Sequence, residues 1–326
     1  LVPFDLAHMS NLATPLFLKL LADRQGKPGG LLFCGSGGLA LPVELRELAG
    51  RVPSFYGQSL PAQVAAALSE LGLHAMPAAV LQRNDRPFEP LRQAKAGWIE
   101  GDWPLQAPPS PNGAQAASRA TALLLVQLAA NDADTHEIEE VLRRDPTLSY
   151  HLLKLVNSLA VGVGRKITSF SQAILILGRQ QLRRWLNLVL FAASSEDVRS
   201  PMLLARVAVR ARAMELLAHE TGQGKQVQEQ AFMAGMFSLL GVLFGMPLDE
   251  LLAPLKLGDA TVQALLSKSG ELGELLAMVE AAEHGDMLAV ARQLEALQLP
   301  ALDFNRLVVE ANLWMLNVTS EAGQHG

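Results

Sequence analysis

Thiols are almost missing from this 326-residue chain: Cys34 is its single cysteine. A disulfide framework and any zinc cluster of several thiolates are thereby excluded. Aromatic residues are also scarce, with two Tyr and four Trp beside eleven Phe. A core must then be built from Leu, Ala and Val, a composition that leans helical. Charge is modest at 18% of residues and a net −5, so no basic excess points to nucleic acid. The first six residues carry no basic start and are interrupted by Pro3 and Asp5, unlike a secretory signal. One uncharged run, 231–248, has the length of a membrane span. It is broken by Gly235, Ser238, Gly241, Gly245 and Pro247, so it reads as a buried core helix. No membrane insertion and a cytoplasmic location are expected.

Chemistry is equally thin. The histidines are His8, His74, His136, His151, His219, His284 and His325; none is followed by Asp and no two stand four apart. The second imidazole that a zinc-binding helix needs is thus missing at His136-Glu137 and at His219-Glu220. Cys34-Gly-Ser-Gly-Gly38 follows an apolar run, as a phosphate loop would, but lacks the Lys-Ser/Thr pair and the required glycine spacing. The acidic pairs Glu139-Glu140 and Asp249-Glu250 fall on solvent-facing helical registers. No catalytic residue, metal ligand or cofactor is expected, and the chain reads as a non-enzyme.

Half of the residues are hydrophobic, enough for a substantial core. Up to residue 113 the chain is rich in Pro and Gly; the stretch PLQAPPSPNG at 104–113 reads as a linker or domain seam. Residues 1–113 read as a small α/β domain, with a strand at 30–34, a helix at 60–71 opened by Pro61 and closed by Gly72, and a strand at 75–81. Residues 114–326 read as helices throughout, with cap signals at Asp134 or Thr135, at Asp145-Pro146 and at Ser200-Pro201. One of these helices is expected to run unbroken over 226–246.

The charge pattern is uneven. Arg143, Arg144, Lys154, Arg165, Lys166, Arg179, Arg183 and Arg184 are opposed only by Asp145 between residues 143 and 184, whereas 197–326 holds sixteen acidic residues against nine basic. Two readings stay open: basic side chains paired to the acidic C-terminal part, or a surface for an acidic protein, a nucleotide or a lipid headgroup.

Three ordered motifs, RDPTLSYHLLKLVNS at 144–158, ITSFSQAILILG at 167–178 and LRRW at 182–185, resemble the HDOD domain of bacterial signalling proteins. The likeness continues through AFMAGMFSLL at 231–240. AGWIEGDWPL at 96–105 is similar to the segment that ends an EAL-type domain joined to HDOD. The resemblance implies a mostly α protein, an all-helical HD-like domain over 114–326 preceded by a truncated, degenerate EAL-like remnant over 1–113. Catalytic HD hydrolases carry a His-Asp pair where this chain has Ser238 and Leu239, and an HDOD domain is expected to lack that pair. An EAL barrel needs about 250 residues and metal-binding carboxylates at its strand ends. Residues 1–113 contain neither a Glu-Ala-Leu tripeptide nor adjacent acids; Glu295-Ala296-Leu297 sits in a C-terminal helix. The expected role is non-catalytic signalling by contact with other signalling proteins or a second copy of the chain. The alternatives are a cyclic di-GMP-binding effector that uses the remnant without hydrolysis and, third, a metal-dependent phosphohydrolase.

Overall fold

A computed structural model describes residues 14–35, 41–77, 79–87, 97–108, 113–131, 133–144, 172, 178, 184, 186–188 and 197–320. The N-terminal part is a small curled sheet. Strand β1 (Phe17–Ala22) pairs antiparallel with β2 (Pro28–Cys34), Phe17 opposite Cys34 and Leu20 opposite Leu31. Helix α1 (Leu45–Arg51), strand β3 (Ser54–Tyr56), helix α2 (Ala62–Glu70) and strand β4 (His74–Ala75) follow. Strands β2, β3 and β4 are parallel neighbours, so this stretch is two βαβ crossovers in succession. On the other side of β1 lie β6 (Trp98–Glu100), antiparallel to it, and β5 (Leu81–Arg83), parallel to β6. The sheet order is β4-β3-β2-β1-β6-β5.

Several expectations for this region change. The strand predicted over 75–81 is two short strands, β4 and β5, on opposite edges of the sheet. Pro61 caps α2 in an extended conformation (ψ 140°) instead of occupying its first turn, while Gly72 (φ +95°) follows the helix end as predicted. Strands β1, β3 and β6 had no sequence prediction. β3 and β6 are three residues each, too short for a period of two to be read. The glycine-rich turn after Cys34 lies largely outside the described residues.

The seam is packed where it is described. Trp103, at the start of a 3-10 turn (Trp103–Leu105), is fully buried in a small cluster with Ala22, Ile99 and Met202. Then come α3 (Gly113–Ala130) and α4 (Thr135–Arg144), where the Asp134 carboxylate accepts the His136 backbone N–H as a helix cap. The remaining helices are α5 (Ser200–Glu220), α6 (Lys225–Phe237), α7 (Leu240–Phe244), α8 (Leu248–Leu252), α9 (Asp259–Ser267), α10 (Gly270–His284), α11 (Met287–Ala296) and α12 (Ala301–Ser320).

Helix α5 is the axis of this part, buried on nearly every side and packed against α6, α10, α12 and β1. Its approach to α6 is close because Gly235 has no side chain: a Cβ there would lie 2.6 Å from the Ala211 Cα. One continuous apolar core joins Leu16, Leu18, Leu31 and Phe33 of the sheet region to Leu203, Val207, Phe304 and Val309 of the helices. Asn305 pins the two together, accepting the Leu16 N–H at 2.8 Å and donating to the Thr14 carbonyl at 3.0 Å.

The helix predicted over 226–246 is not continuous. It ends at Phe237 and resumes at Leu240, because the Ser238 hydroxyl donates to the Gly235 carbonyl at 2.7 Å and competes with the helical ladder. The 225–244 stretch has the length and composition of a membrane-crossing helix, but this break divides it and most of it is buried, with Ala231, Phe232, Ala234, Met236 and Phe237 at the centre of the core.

Candidate functional site

A nearly all-apolar helix that carries arginines must find partners for them, since a buried unpaired charge is costly. Helix α5 does so with each of its three. Arg206 donates to the Asp102 carboxylate (3.0 Å) and the Gly101 carbonyl (2.7 Å), tying the helices to the sheet region. The turn it grips requires glycine: Gly101 has φ +113°, and a Cβ would come within 2.3 Å of the Asn84 carbonyl oxygen. One turn on, Arg210 is buried and donates to both carboxylate oxygens of Glu283 (2.8 and 2.5 Å), to the Ser238 hydroxyl (2.8 Å) and to Glu280 (3.4 Å). Burial opposes its charge, but Glu283 and Glu280 outweigh that and hold the guanidinium above its ordinary pKa. Arg212 bridges Glu215 and Glu310. Just before the helix, Arg199 is buried in a bidentate pair with Asp197 and donates to the Gln106 and Val242 carbonyls.

Ser238 and Leu239 therefore sit at the break between α6 and α7, with Ser238 committed to Arg210 and Leu239 buried as core. Their donor set does not fit a metal. A hydroxyl and an isobutyl group offer neither imidazole nor carboxylate to a metal, and a fixed guanidinium 2.8 Å from that hydroxyl repels a divalent cation. Among the described residues no three His, Cys, Asp or Glu side chains are grouped to hold a metal ion.

Of the eight basic residues singled out between 143 and 184, Arg184 alone has a described side chain. It is not available to a partner. Its guanidinium bonds to Glu215 (2.8 Å) and Glu229 and stacks 4.2 Å over the Phe232 ring, with 11% of the side chain exposed. This corrects its place in the candidate surface: here the basic stretch is answered by the acidic C-terminal part. Burial raises the Glu215 carboxyl, but bonds from Arg184 and Arg212 more than offset it, leaving it below the ordinary carboxylate range. Arg143 and Arg144 fall in the last turn of α4, with side chains outside the described residues; Lys154, Arg165, Lys166, Arg179 and Arg183 lie outside them altogether.

The sequence reading missed Arg199, Arg206, Arg210, Glu215 and Glu283. The signal was present: three arginines inside an otherwise apolar 21-residue helix demand carboxylate partners, although not which ones.

A cleft opens where the sheet meets the helices. It is lined by Phe17 to Leu20 of β1, Arg83 of β5, Glu100 of β6 with Gly101 and Asp102 after it, Arg206 and Val209 of α5, and Glu283 and His284 at the end of α10. Arg206 and Glu283 belong to the arginine pairs just described, so the cleft borders the Arg210 network.

The HDOD domain family matches residues 117–295, more than half of the chain, and the chain belongs to that family. It is similar to the cyclic di-GMP phosphodiesterase CdgJ of Vibrio cholerae serotype O1, at 32% identity over 188 residues, which are 57% of this chain and 43% of that protein. It is also similar to the uncharacterized protein YuxH of Bacillus subtilis, at 31% identity over 165 residues, 50% of this chain and 40% of that one. The matched regions span less than half the length of both relatives. A chain from Shewanella amazonensis SB2B, provisionally described as a phosphohydrolase, superposes with a TM-score of 0.44 at 16% identity, over 63% of this chain and 93% of that one.

Proposed function

We propose that this chain is a non-catalytic signalling module that works by binding other proteins through its HDOD domain. The observation that carries the reading is Arg210. At the place where the resemblance puts a catalytic His-Asp pair, the chain has Ser238 and Leu239, and a buried guanidinium bonded to Ser238, Glu283 and Glu280 supplies the positive charge. A domain built this way can hold a shape for a partner but has no activated water to deliver. The test is an assay of the purified chain with added Mn²⁺, Fe²⁺ or Mg²⁺ against cyclic di-GMP and a generic aryl phosphodiester. No turnover above buffer is expected; metal-dependent turnover that survives further purification overturns the reading. The partner surface is tested by reversing Arg143, Arg144, Arg179 and Arg183 to Glu while keeping Arg184, whose reversal would break the internal pair. Loss of partner capture at unchanged Tm is expected, and unchanged capture removes that surface.

The second reading is recognition of cyclic di-GMP without hydrolysis. It is favoured by the name of the Vibrio relative and by the β2-α1-β3-α2-β4 alternation of parallel strands and helices, the unit from which an EAL-type barrel is made. The region 1–113 is then a remnant of such a domain. Calorimetric titration with the dinucleotide separates the readings: saturable heat in the micromolar range supports the second, and none removes it.

A further inference from the structure

The cleft between sheet and helices contains charged groups that the fold itself does not use. Its carboxylates Asp102 and Glu283 are neutralised by Arg206 and Arg210, and its Arg83 by Asp85 at 2.8 Å. Lys19 and Glu100 differ. Both are half-buried, both line the cleft, and among the described residues neither side chain makes a hydrogen bond or ion pair. His284 lines the same cleft, its Nδ1 turned to the Glu280 carbonyl at 2.6 Å. Phe17, Leu18, Leu20 and Val209 supply apolar wall.

A cation and an anion without a hydrogen bond or ion pair among the described residues, beside an apolar wall in a cleft whose other charges are paired, define the ligand by complementarity. A simple anion would meet Glu100 and gain nothing from Asp102 or Glu283; a simple amine would meet Lys19. A molecule with a carboxylate and an ammonium group beside an apolar substituent satisfies all three features. We infer that this cleft is a binding site for a free amino acid with an apolar side chain, its carboxylate on Lys19 and its ammonium on Glu100. The inference goes beyond the signalling proposal, to which it would add a small-molecule input, and it does not depend on whether the chain hydrolyses anything.

The site is tested on the full chain by thermal shift and calorimetry with the twenty L-amino acids at millimolar concentration, with inorganic phosphate, acetate and butylamine as controls. Saturable binding of one or more apolar amino acids is expected, weakened at least tenfold in both Lys19→Met and Glu100→Gln, with no response to the three controls. The wild-type protein gives an independent reading that needs no variant to fold: the methyl ester and the decarboxylated amine of the amino acid that binds are each expected to lose binding. The inference is overturned if no amino acid binds, if binding persists undiminished in either folded variant, if either half-molecule binds as well as the amino acid, or if phosphate or acetate alone responds. None of these outcomes bears on the metal-dependent turnover assay, so the two proposals fail separately.

Discussion

Arg210 of helix α5 donates to the hydroxyl of Ser238, 28 residues along the chain, at 2.8 Å, at the break between α6 and α7. The same guanidinium holds Glu283 at the end of α10. Three segments of the helical domain are thus cross-linked by one side chain.

Removing that charge strands Glu283 and takes one of two cationic partners from Glu280. Arg210→Ala is expected to lower unfolding free energy by about 3–5 kcal/mol, since breaking a buried pair leaves an uncompensated charge. Glu280 keeps Lys268 at 2.7 Å, so most of the cost falls on Glu283. The double variant Arg210→Met with Glu283→Leu is expected to recover most of the loss. Urea denaturation midpoints check both; an Arg210→Ala midpoint equal to wild type refutes the cross-link.

Gly235 faces Ala211 with no room for a methyl group, a Cβ lying 2.6 Å from the Ala211 Cα. Gly235→Ala is expected to force α5 and α6 apart and cost about 1–3 kcal/mol, the usual range for overpacking. At Gly50, where a Cβ meets nothing within 4 Å, the same change serves as control and is expected to stabilise slightly or leave the Tm unchanged.

Acid sensitivity has a specific source in Glu215. Its native pKa is depressed, so it binds fewer protons folded than unfolded. Its contribution is complete above the ordinary carboxyl value of 4.5 and fades as pH falls below that toward the native value. Glu215→Gln is expected to cost about 1–3 kcal/mol at neutral pH and to flatten the acid limb of a Tm-against-pH curve. An acid limb identical to wild type would exclude the pairs with Arg184 and Arg212.

At the seam between sheet and helices, Asn305 satisfies the Leu16 amide from 289 positions away. Asn305→Leu keeps the volume but leaves that N–H without an acceptor, at a cost of about 1–3 kcal/mol. Hydrogen exchange at Leu16 is expected to accelerate more than exchange within α5; equal effects would mean a global loss of stability instead.

Much of the helical domain was legible because its signals are local. The Asp134 cap, the Ser200-Pro201 start and the glycine at 222 (φ +77°) bound helices that the structure shows within a residue or two. The unbroken helix expected over 226–246 fails at Ser238, whose hydroxyl bonds to the Gly235 carbonyl three residues back and is fixed there by Arg210 from 28 residues away. The basic stretch shows the same limit. Sequence registers that Arg184 is charged, but whether it faces a partner or lies between Glu215 and Glu229 depends on packing 31 and 45 residues away.

By itself the sequence determined a helical domain with a core rich in Leu, Ala and Val, because composition, caps and periodicity act over a few residues, and its ordered motifs carried the resemblance to the HDOD family. Tertiary structure alone decided which carboxylate each arginine meets and where Lys19, Glu100 and His284 line one cleft. Those choices follow from which chain segments fold against one another, and electrostatic pairing at about 3 Å is settled by that placement and not by order along the chain.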